Sequence, residues 1–208
     1  MYIVGFIDNS FDMFDDYQTR LSRRGIQLLA AQEHMSKDGI VQWILLNNIR
    51  CVMVDYKLRP NFDFVGTDLV AYINSELPDL PCMVLTAYPQ ESLSENLVVK
   101  NMIEERDVLD TTDISAFVEK LKQAVHVFDN RLARHVNEYS ELFGKKTANT
   151  ITSLEEERFL YLFRLLRAYG EIDEIPSIMM QPEISGKIDA LIDKLDNVLD
   201  RKTQKEDE

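Results

Sequence analysis

The sequence predicts an α/β fold in which a parallel sheet of five strands is covered by helices on both faces. Over the first 112 residues, short and evenly apolar runs alternate with longer amphipathic stretches. The runs are too short for amphipathic helices and suit strands that are buried on both faces. Strands that alternate with helices in this way form parallel sheets. A long stretch without Gly or Pro then predicts a helix that continues beyond the sheet.

Five apolar runs mark the predicted strands, and the stretches between them mark the first four helices. The strands are expected at residues 2–7, 26–30, 51–54, 82–85 and, more weakly, 107–110. The helices are expected at about residues 11–23, 36–48, 66–77 and 91–105. Ser36 fits the N-cap of the second helix, because its hydroxyl can accept a hydrogen bond from a free backbone N–H group.

The fifth helix is predicted to begin near Ser115 and to continue to about residue 143, further than a sheet can cover. No Gly or Pro interrupts it, and apolar residues recur at intervals of three or four. These residues are Phe117, Leu121, Val125, Phe128, Leu132, Val136, Tyr139 and Phe143. The spacing is close to that of a coiled coil. The second half of the helix therefore needs a partner, either a second copy in a homodimer or the chain's own tail.

The chain divides into a sheet domain, residues 1–125, and a helical extension, residues 126–208. The extension contains the end of the long helix and further helices at about 153–169 and 183–202. The sequence SLEE at 153–156 matches a capping box, in which a hydroxyl and a carboxylate satisfy free backbone N–H groups. The extension is too small for a large core of its own, so we expect it to pack with the long helix.

Composition excludes several classes of protein. The net charge of −13 disfavours nucleic-acid binding, because a phosphate backbone would be repelled. No apolar run reaches 18 residues, and the N-terminus lacks the basic start of a signal peptide, so we expect neither a membrane span nor secretion. Cys51 and Cys82 lie in apolar runs without neighbouring Cys or His. We interpret both as buried structural thiols in a cytoplasmic protein.

Polar residues stand at the ends of four predicted strands. Asp8 and Asn9 follow the first strand, Asp55 the third and Thr86 the fourth, while Asp110 ends the fifth. The carboxyl ends of parallel strands lie along one edge of the sheet, where ligands gather. Neighbouring carboxylates favour Mg²⁺, and a carboxylate beside that cation can attack phosphorus. The ordinary alternatives are a loop acid for Asp55, a helix cap for Asp8 and a plain strand end for Thr86.

Together these residues resemble the receiver domain of two-component response regulators. The resemblance covers about residues 1–125 and includes the acid after strand one and the Asp at the end of strand three. It also includes the motif LP-x-x-P-x-x-x-LTA at residues 77–87 and Gly66 at the start of the third helix. The resemblance implies a flavodoxin-like fold and an atypical response regulator without enzyme activity. It would act through protein partners, and a histidine kinase is a candidate among them.

The resemblance also assigns roles to the residues at the strand ends. Asp55 is the expected phosphoacceptor, and Thr86 is expected to contact the phosphoryl group and to switch. The expected Mg²⁺ ligands are Asp8, Asn9, Asp55 and the backbone carbonyl of Lys57. We expect this metal site to be weak, because an amide replaces one carboxylate. No other cofactor is implied.

One position departs seriously from the family pattern. Counting back from the start of the fifth helix, the lysine that ends strand five in the family falls on Asp110. A carboxylate there would repel a phosphoryl group, whereas the lysine pairs with it. We therefore expect phosphorylation of Asp55 to be slow or absent.

Two other functions remain open. One is a degenerate receiver that serves as an interaction scaffold without phosphotransfer, and the loss of the lysine favours it. The other, which is less favoured, is a Mg²⁺-dependent phosphohydrolase of related topology. Haloacid-dehalogenase-like enzymes have an Asp two residues after their nucleophile, and this chain has Lys57 there. The retention of Asp8, Asp55 and Thr86 supports control by phosphorylation.

Overall fold

The sheet has five parallel strands in the order β2-β1-β3-β4-β5, which confirms the predicted α/β class. The computed structural model describes residues 1–10, 12–111 and 113–172. The strands are β1 (Tyr2–Ile7), β2 (Ile26–Ala30), β3 (Cys51–Asp55), β4 (Cys82–Thr86) and β5 (Ile103–Glu105). The first four begin and end within one residue of the predicted runs.

The described residues form six α-helices. They are α1 (Phe14–Ser22), α2 (Lys37–Leu46), α3 (Gly66–Glu76), α4 (Pro89–Ser94), α5 (Ser115–Thr147) and α6 (Ser153–Ala168). The long fifth helix and the helix after it are therefore present as predicted, while the helix expected at 183–202 lies outside the described residues. None of the described helices combines the length and the apolarity that crossing a membrane requires.

Alternate side chains of each strand enter opposite layers of the core, as the pleat of a strand dictates. In β3, Cys51 and Met53 lie in the layer with α1 and α5, whereas Val52 and Val54 lie in the layer with α2 and α3. All four side chains are fully buried, which explains why this run is evenly apolar. Cys51 and Cys82 are both free and buried, in agreement with a packing role.

The fifth strand lies four residues earlier than predicted. β5 pairs with the end of β4, and the predicted run at 107–110 falls largely in a 3₁₀-helix, Arg106–Leu109. The predicted fourth helix is correspondingly short, because α4 has only six residues. Asn96 follows it with a left-handed backbone, φ 54°, which a continuing helix cannot accommodate. The end of the stretch predicted as helix four therefore supplies β5.

Helices α5 and α6 form a helical hairpin in which α6 covers much of the apolar strip on α5. Phe159 is fully buried, and its ring stacks on Tyr139 with 5.0 Å between the ring centroids. Phe128 and Leu132 are buried in one cluster with Leu165 of α6. Within the described structure, the chain's own tail is thus a partner of the second half of α5.

The capping box of α6 begins one residue earlier than the predicted Ser153. The Thr152 hydroxyl accepts a hydrogen bond from the backbone N–H of Glu155 at 3.3 Å. In return, the Glu155 carboxylate accepts one from the backbone N–H of Thr152 at 2.9 Å. Thr152 has the extended backbone that an N-cap needs, so the helix begins after it.

The helical extension packs against the sheet domain. Leu165 and Leu166 belong to the same buried cluster as Leu80 and Cys82. The Tyr169 hydroxyl donates a hydrogen bond to the backbone carbonyl of Pro78, in the loop before β4. A division of the chain at residue 125 therefore remains a prediction, and any such division would cut through a shared core.

A homodimer through α5 also remains a prediction, because α6 leaves apolar surface on the hairpin exposed. Phe143 is 36% exposed, and Leu154 and Tyr161 are 78% and 48% exposed. Apolar patches commonly mark contacts with another chain. We expect light scattering to detect dimers at micromolar concentration and Phe143→Asp to weaken them. The control Leu46→Asp, at another exposed leucine, should leave the dimer intact. A monomer at every concentration would contradict the prediction.

Gly66 lies where the start of α3 comes closest to the end of β3, and we expect Gly66→Ala to destabilise the fold. A Cβ atom at this position would lie 2.1 Å from the backbone oxygen of Asp55. Relief of that overlap must shift the backbone, at a cost of about 1–3 kcal/mol in unfolding free energy. Urea unfolding measures the loss. Gly144→Ala is the matched control, because its Cβ meets nothing within 4 Å. Equal midpoints for wild type and Gly66→Ala would contradict the prediction.

Candidate functional site

Four polar residues stand at the carboxyl edge of the sheet. Asp8 directly follows β1, Asp55 is the last residue of β3 and Thr86 is the last residue of β4. Arg106 directly follows β5. Asp8, Asp55 and Thr86 are buried, with exposed fractions of 1%, 6% and 1%. The strand ends thus bring together the three buried residues that the sequence singled out and one that it did not.

Arg106 connects the two buried carboxylates. Its Nη2 atom lies 2.5 Å from Oδ2 of Asp8, and its Nη1 atom lies 3.4 Å from Oδ1 of Asp55. A planar guanidinium can donate to two carboxylates at once. Two buried acids are costly without a neighbouring cation. Arg106 therefore provides the positive charge that allows both acids to lie at this edge.

Arg106 is absent from the site that the sequence predicts, in which Asp110 was expected at the end of strand five. Because strand five lies earlier than predicted, the residue that follows its carboxyl end is Arg106. One signal in the sequence could have identified it. Arg106 is the only basic residue between Lys100 and Lys120, in a segment that must cross the edge of an acidic site.

Two side chains, Tyr17 and Arg106, connect Asp110 to the two buried carboxylates. Asp110 is exposed at the end of the 3₁₀-helix and interacts with the hydroxyl of Tyr17, which also contacts Arg106. Burial raises the pKa of Tyr17, and the charge of Asp110 raises it further. Asp110 thus interacts with the tyrosine, and slow or absent phosphorylation of Asp55 remains a prediction.

The environment of Asp55 raises its pKa to about 6. Burial is the largest cause, and the nearby charge of Asp8 adds to it. The Arg106 guanidinium and the backbone N–H groups of Tyr56 and Lys57 act in the opposite direction. Burial likewise raises the pKa of Asp8, against hydrogen bonds that favour its charged form. Asp55 is therefore poised to change charge just below neutral pH.

Thr86 and Lys57 both contact Tyr88. The Thr86 hydroxyl accepts a hydrogen bond from the backbone N–H of Tyr88 at 2.8 Å. The Lys57 ammonium lies over the ring of Tyr88, 3.2 Å from its centroid. The side chain of Lys57 is thus engaged in a cation–π contact. The cation that contacts Asp8 and Asp55 is therefore Arg106.

The residues present fit a Mg²⁺ ion poorly. The side-chain amide of Asn9 donates to the backbone carbonyl of Arg59 at 3.2 Å, and Asp8 and Asp55 are both paired with Arg106. Within the ranges that the structure describes, no group of three or more His, Cys, Asp or Glu is placed to hold a metal. A metal would have to displace the guanidinium from the acids, so weak binding remains the prediction.

Solved structures share this architecture. The signal receiver domain of an HD domain-containing protein from Pseudomonas fluorescens Pf-5 is 16% identical, with 64% of this chain and 93% of that chain covered and a TM-score of 0.51. The fold is that of a response-regulator receiver domain. NtrX from Brucella abortus, in complex with ADP, is 18% identical, with 66% of this chain and 30% of that chain covered and a TM-score of 0.50.

The likeness to these proteins concerns the receiver fold alone. No protein-family model and no curated protein matches the sequence. At 16% and 18% identity, a shared fold carries no activity with it. What this receiver fold does must therefore be inferred from its own residues at the carboxyl edge.

Asp55→Asn is expected to make the protein more stable near neutral pH. The pKa of Asp55 in the folded protein, about 6, lies above its ordinary value of 3.8, so the folded state holds this proton more tightly. The resulting stability is fully present below pH 3.8 and is lost as the pH rises through about 6. Asparagine avoids that loss, which is about 3 kcal/mol for a buried group with such a shift.

Urea unfolding between pH 4 and 8 measures the effect of Asp55→Asn. The gain over wild type should appear near neutral pH and shrink as the pH falls. The matched control is Asp63→Asn, at an exposed acid in the loop after β3. A variant that is less stable than wild type at pH 7 would show that Arg106 outweighs burial at Asp55.

Proposed function

We propose that the protein is an atypical response regulator in which Asp55 accepts a phosphoryl group and Arg106 binds that group. The observation that carries this proposal is the guanidinium of Arg106, which lies against both Asp8 and Asp55 at the carboxyl edge. The receiver fold supports it, because the fold brings a cation from the end of β5 to an acid at the end of β3. The protein would act through protein partners.

The chemistry needs a nucleophile and a nearby positive charge. A carboxylate oxygen of Asp55 attacks the phosphorus of a phosphodonor, and the bond from phosphorus to the donor breaks. The product is an acyl phosphate on Asp55, and the donor group leaves with the electron pair of that bond. The Arg106 guanidinium donates to the phosphoryl oxygens as charge develops on them. Asp8 holds the guanidinium in place from its other side.

The raised pKa of Asp55 is compatible with this role. With a pKa of about 6, the carboxylate is mostly ionised at neutral pH and can act as a nucleophile. Protonation below pH 6 would remove the nucleophile, so phosphorylation should slow as the pH falls. The same titration would weaken the contact with Arg106.

Thr86 is a candidate link between the site and a partner. Its oxygen accepts from the N–H of Tyr88, which leaves the hydroxyl proton free to donate to a phosphoryl oxygen. Helix α4 begins directly after Tyr88, and Glu95 at its end accepts hydrogen bonds from Tyr56 and Thr67. A movement of Thr86 would therefore reach α4, which we infer to be part of the partner surface.

The alternative function is a scaffold without phosphotransfer. The short Asp8–Arg106 contact favours it, because a guanidinium fixed on Asp8 would compete with any metal at the site. Asp8, Asp55 and Arg106 would then be a permanent structural ion cluster. A phosphohydrolase is less favoured, since the residue two positions after Asp55 is Lys57, whose side chain contacts Tyr88.

Beryllofluoride, which mimics a phosphoryl group on aspartate, tests the proposal without a kinase. We expect its addition with Mg²⁺ to shift the backbone NMR signals of Thr86, Tyr88 and α4. Asp55→Asn should abolish these shifts, whereas Asp63→Asn should retain them. Unchanged spectra of the wild type would favour the scaffold.

A further inference from the structure

An apolar groove lies between α3, α5 and the segment that connects α4 to β5. Its volume is about 570 Å³. Buried Cys82 and Phe128 contribute to its lining, and Leu97, Val99 and Val127 lie at its border. The groove shares no lining residue with the carboxylates and the guanidinium at the carboxyl edge.

Three apolar side chains at the border of this groove are exposed. Val99 is 65% exposed, Leu97 is 47% exposed and Val127 is 39% exposed. Within the described part of the chain, no segment covers these three side chains. An apolar groove of this kind is a typical binding site for an amphipathic helix.

The described chain ends next to the groove. The Tyr169 ring lies 5.2 Å, between centroids, from the ring of Phe128, which also lines the groove. Ile172, the last described residue, packs against the same core cluster as Phe128. Eleven residues separate Ile172 from Ile184. Fully extended, they span up to about 36 Å, which is enough to reach any part of a groove of this size.

The sequence beyond Ile172 contains a segment with the matching pattern. Apolar residues recur at the spacing of one helix face, and acids outnumber lysines. The apolar residues are Ile184, Ile188, Leu191, Ile192, Leu195, Val198 and Leu199. The acids are Glu183, Asp189, Asp193, Asp196 and Asp200, and the lysines are Lys187 and Lys194. In the groove, Arg131 lies 3.8 Å from Asp79, and Lys120 is paired with Glu104. The match between the groove and this segment is therefore in their apolar side chains.

We propose that residues 183–199 of the same chain bind in this groove with their apolar face on Leu97, Val99 and Val127. The groove segment with Leu97 and Val99 comes just before β5 in the chain, and Arg106 follows β5. The tail would thus lie against the segment that positions the cation of the candidate site. The inference itself depends on the groove and the tail, and does not require that Asp55 be phosphorylated.

Amide hydrogen exchange on the full chain tests this docking. In wild type we expect the amides of residues 187–199 to exchange slowly. Val127→Asp on the groove should accelerate them roughly tenfold or more, because a charge replaces an apolar contact. Leu195→Asp on the tail should in turn accelerate the amides between Leu97 and Met102. The matched control is Leu46→Asp, at a leucine outside the groove that is 83% exposed, which should change neither region.

Three results would overturn the proposal. Amides of residues 187–199 that exchange freely in wild type would show that the tail does not dock. Slow exchange that Val127→Asp leaves unchanged would place the tail elsewhere. Slow exchange that appears only with rising protein concentration, together with a dimer in light scattering, would show that a second copy supplies the occupant. Protection at every concentration that both Asp variants remove would establish the intrachain contact.

Discussion

Arg106→Ala is expected to lower the free energy of unfolding by about 3 kcal/mol or more near neutral pH. The substitution leaves the side chains of Asp8 and Asp55, which are only 2% and 8% exposed, without their cation. Removal of one partner from a buried ion pair typically costs about 3–5 kcal/mol. The loss should shrink as the pH falls below about 6, because protonation of the acids relieves their repulsion.

The matched control for this loss is Arg158→Ala. Arg158 makes two short hydrogen bonds to Glu138, at 2.8 and 2.7 Å, but both side chains are 40% exposed. An exposed pair of this kind contributes about 1 kcal/mol or less. Urea unfolding of both variants compares the two pairs directly. Equal losses for Arg106→Ala and Arg158→Ala would mean that Arg106 is an ordinary surface residue.

Arg106→Ala is also expected to slow the labelling of Asp55 by acetyl phosphate about a hundredfold or more. Loss of a single group that stabilises developing charge typically costs a factor of about 10²–10³ in rate. Arg106→Lys should retain part of the rate, because it keeps the charge but loses the planar fork. The rates must be compared under conditions in which circular dichroism shows each variant to be folded.

Asp110→Lys tests whether Asp110 or Arg106 occupies the position of the family's lysine. If Asp110 occupied the position of the family's lysine, the substitution would raise the rate of labelling. Because Asp110 contacts Tyr17, and Arg106 is the cation beside Asp55, we expect no increase. A large increase would show that Asp110 does reach the phosphoryl group.

The first four strands could be predicted because each is a largely apolar run of five or six residues. β5 lacks that signal, since its sequence is IEE and none of its residues is buried. The run at 107–110 buries Leu109 but does not pair as a strand. Its apolar residues were therefore mistaken for the fifth strand. Local patterns therefore identified the four apolar strands, including the edge strand β2, and misplaced the short and polar β5.

The site was partly predictable for the same reason. Asp8, Asp55 and Thr86 stand at the ends of well-marked strands, so their position at one edge follows from the sequence. The role of Arg106 depends on the register of β5 and on a contact with Asp8, 98 residues away. Neither is evident from a local pattern. Because strand five was predicted four residues too late, the position of the family's lysine was assigned to Asp110.

We propose that Asp55 accepts a phosphoryl group in a site completed by Arg106. The most direct measurement is intact mass spectrometry of the full chain after incubation with acetyl phosphate and Mg²⁺. The account predicts one added phosphoryl group per chain, which is absent in Asp55→Asn and retained in Asp63→Asn. A wild-type chain of unchanged mass, or an equal gain in Asp55→Asn, would contradict it.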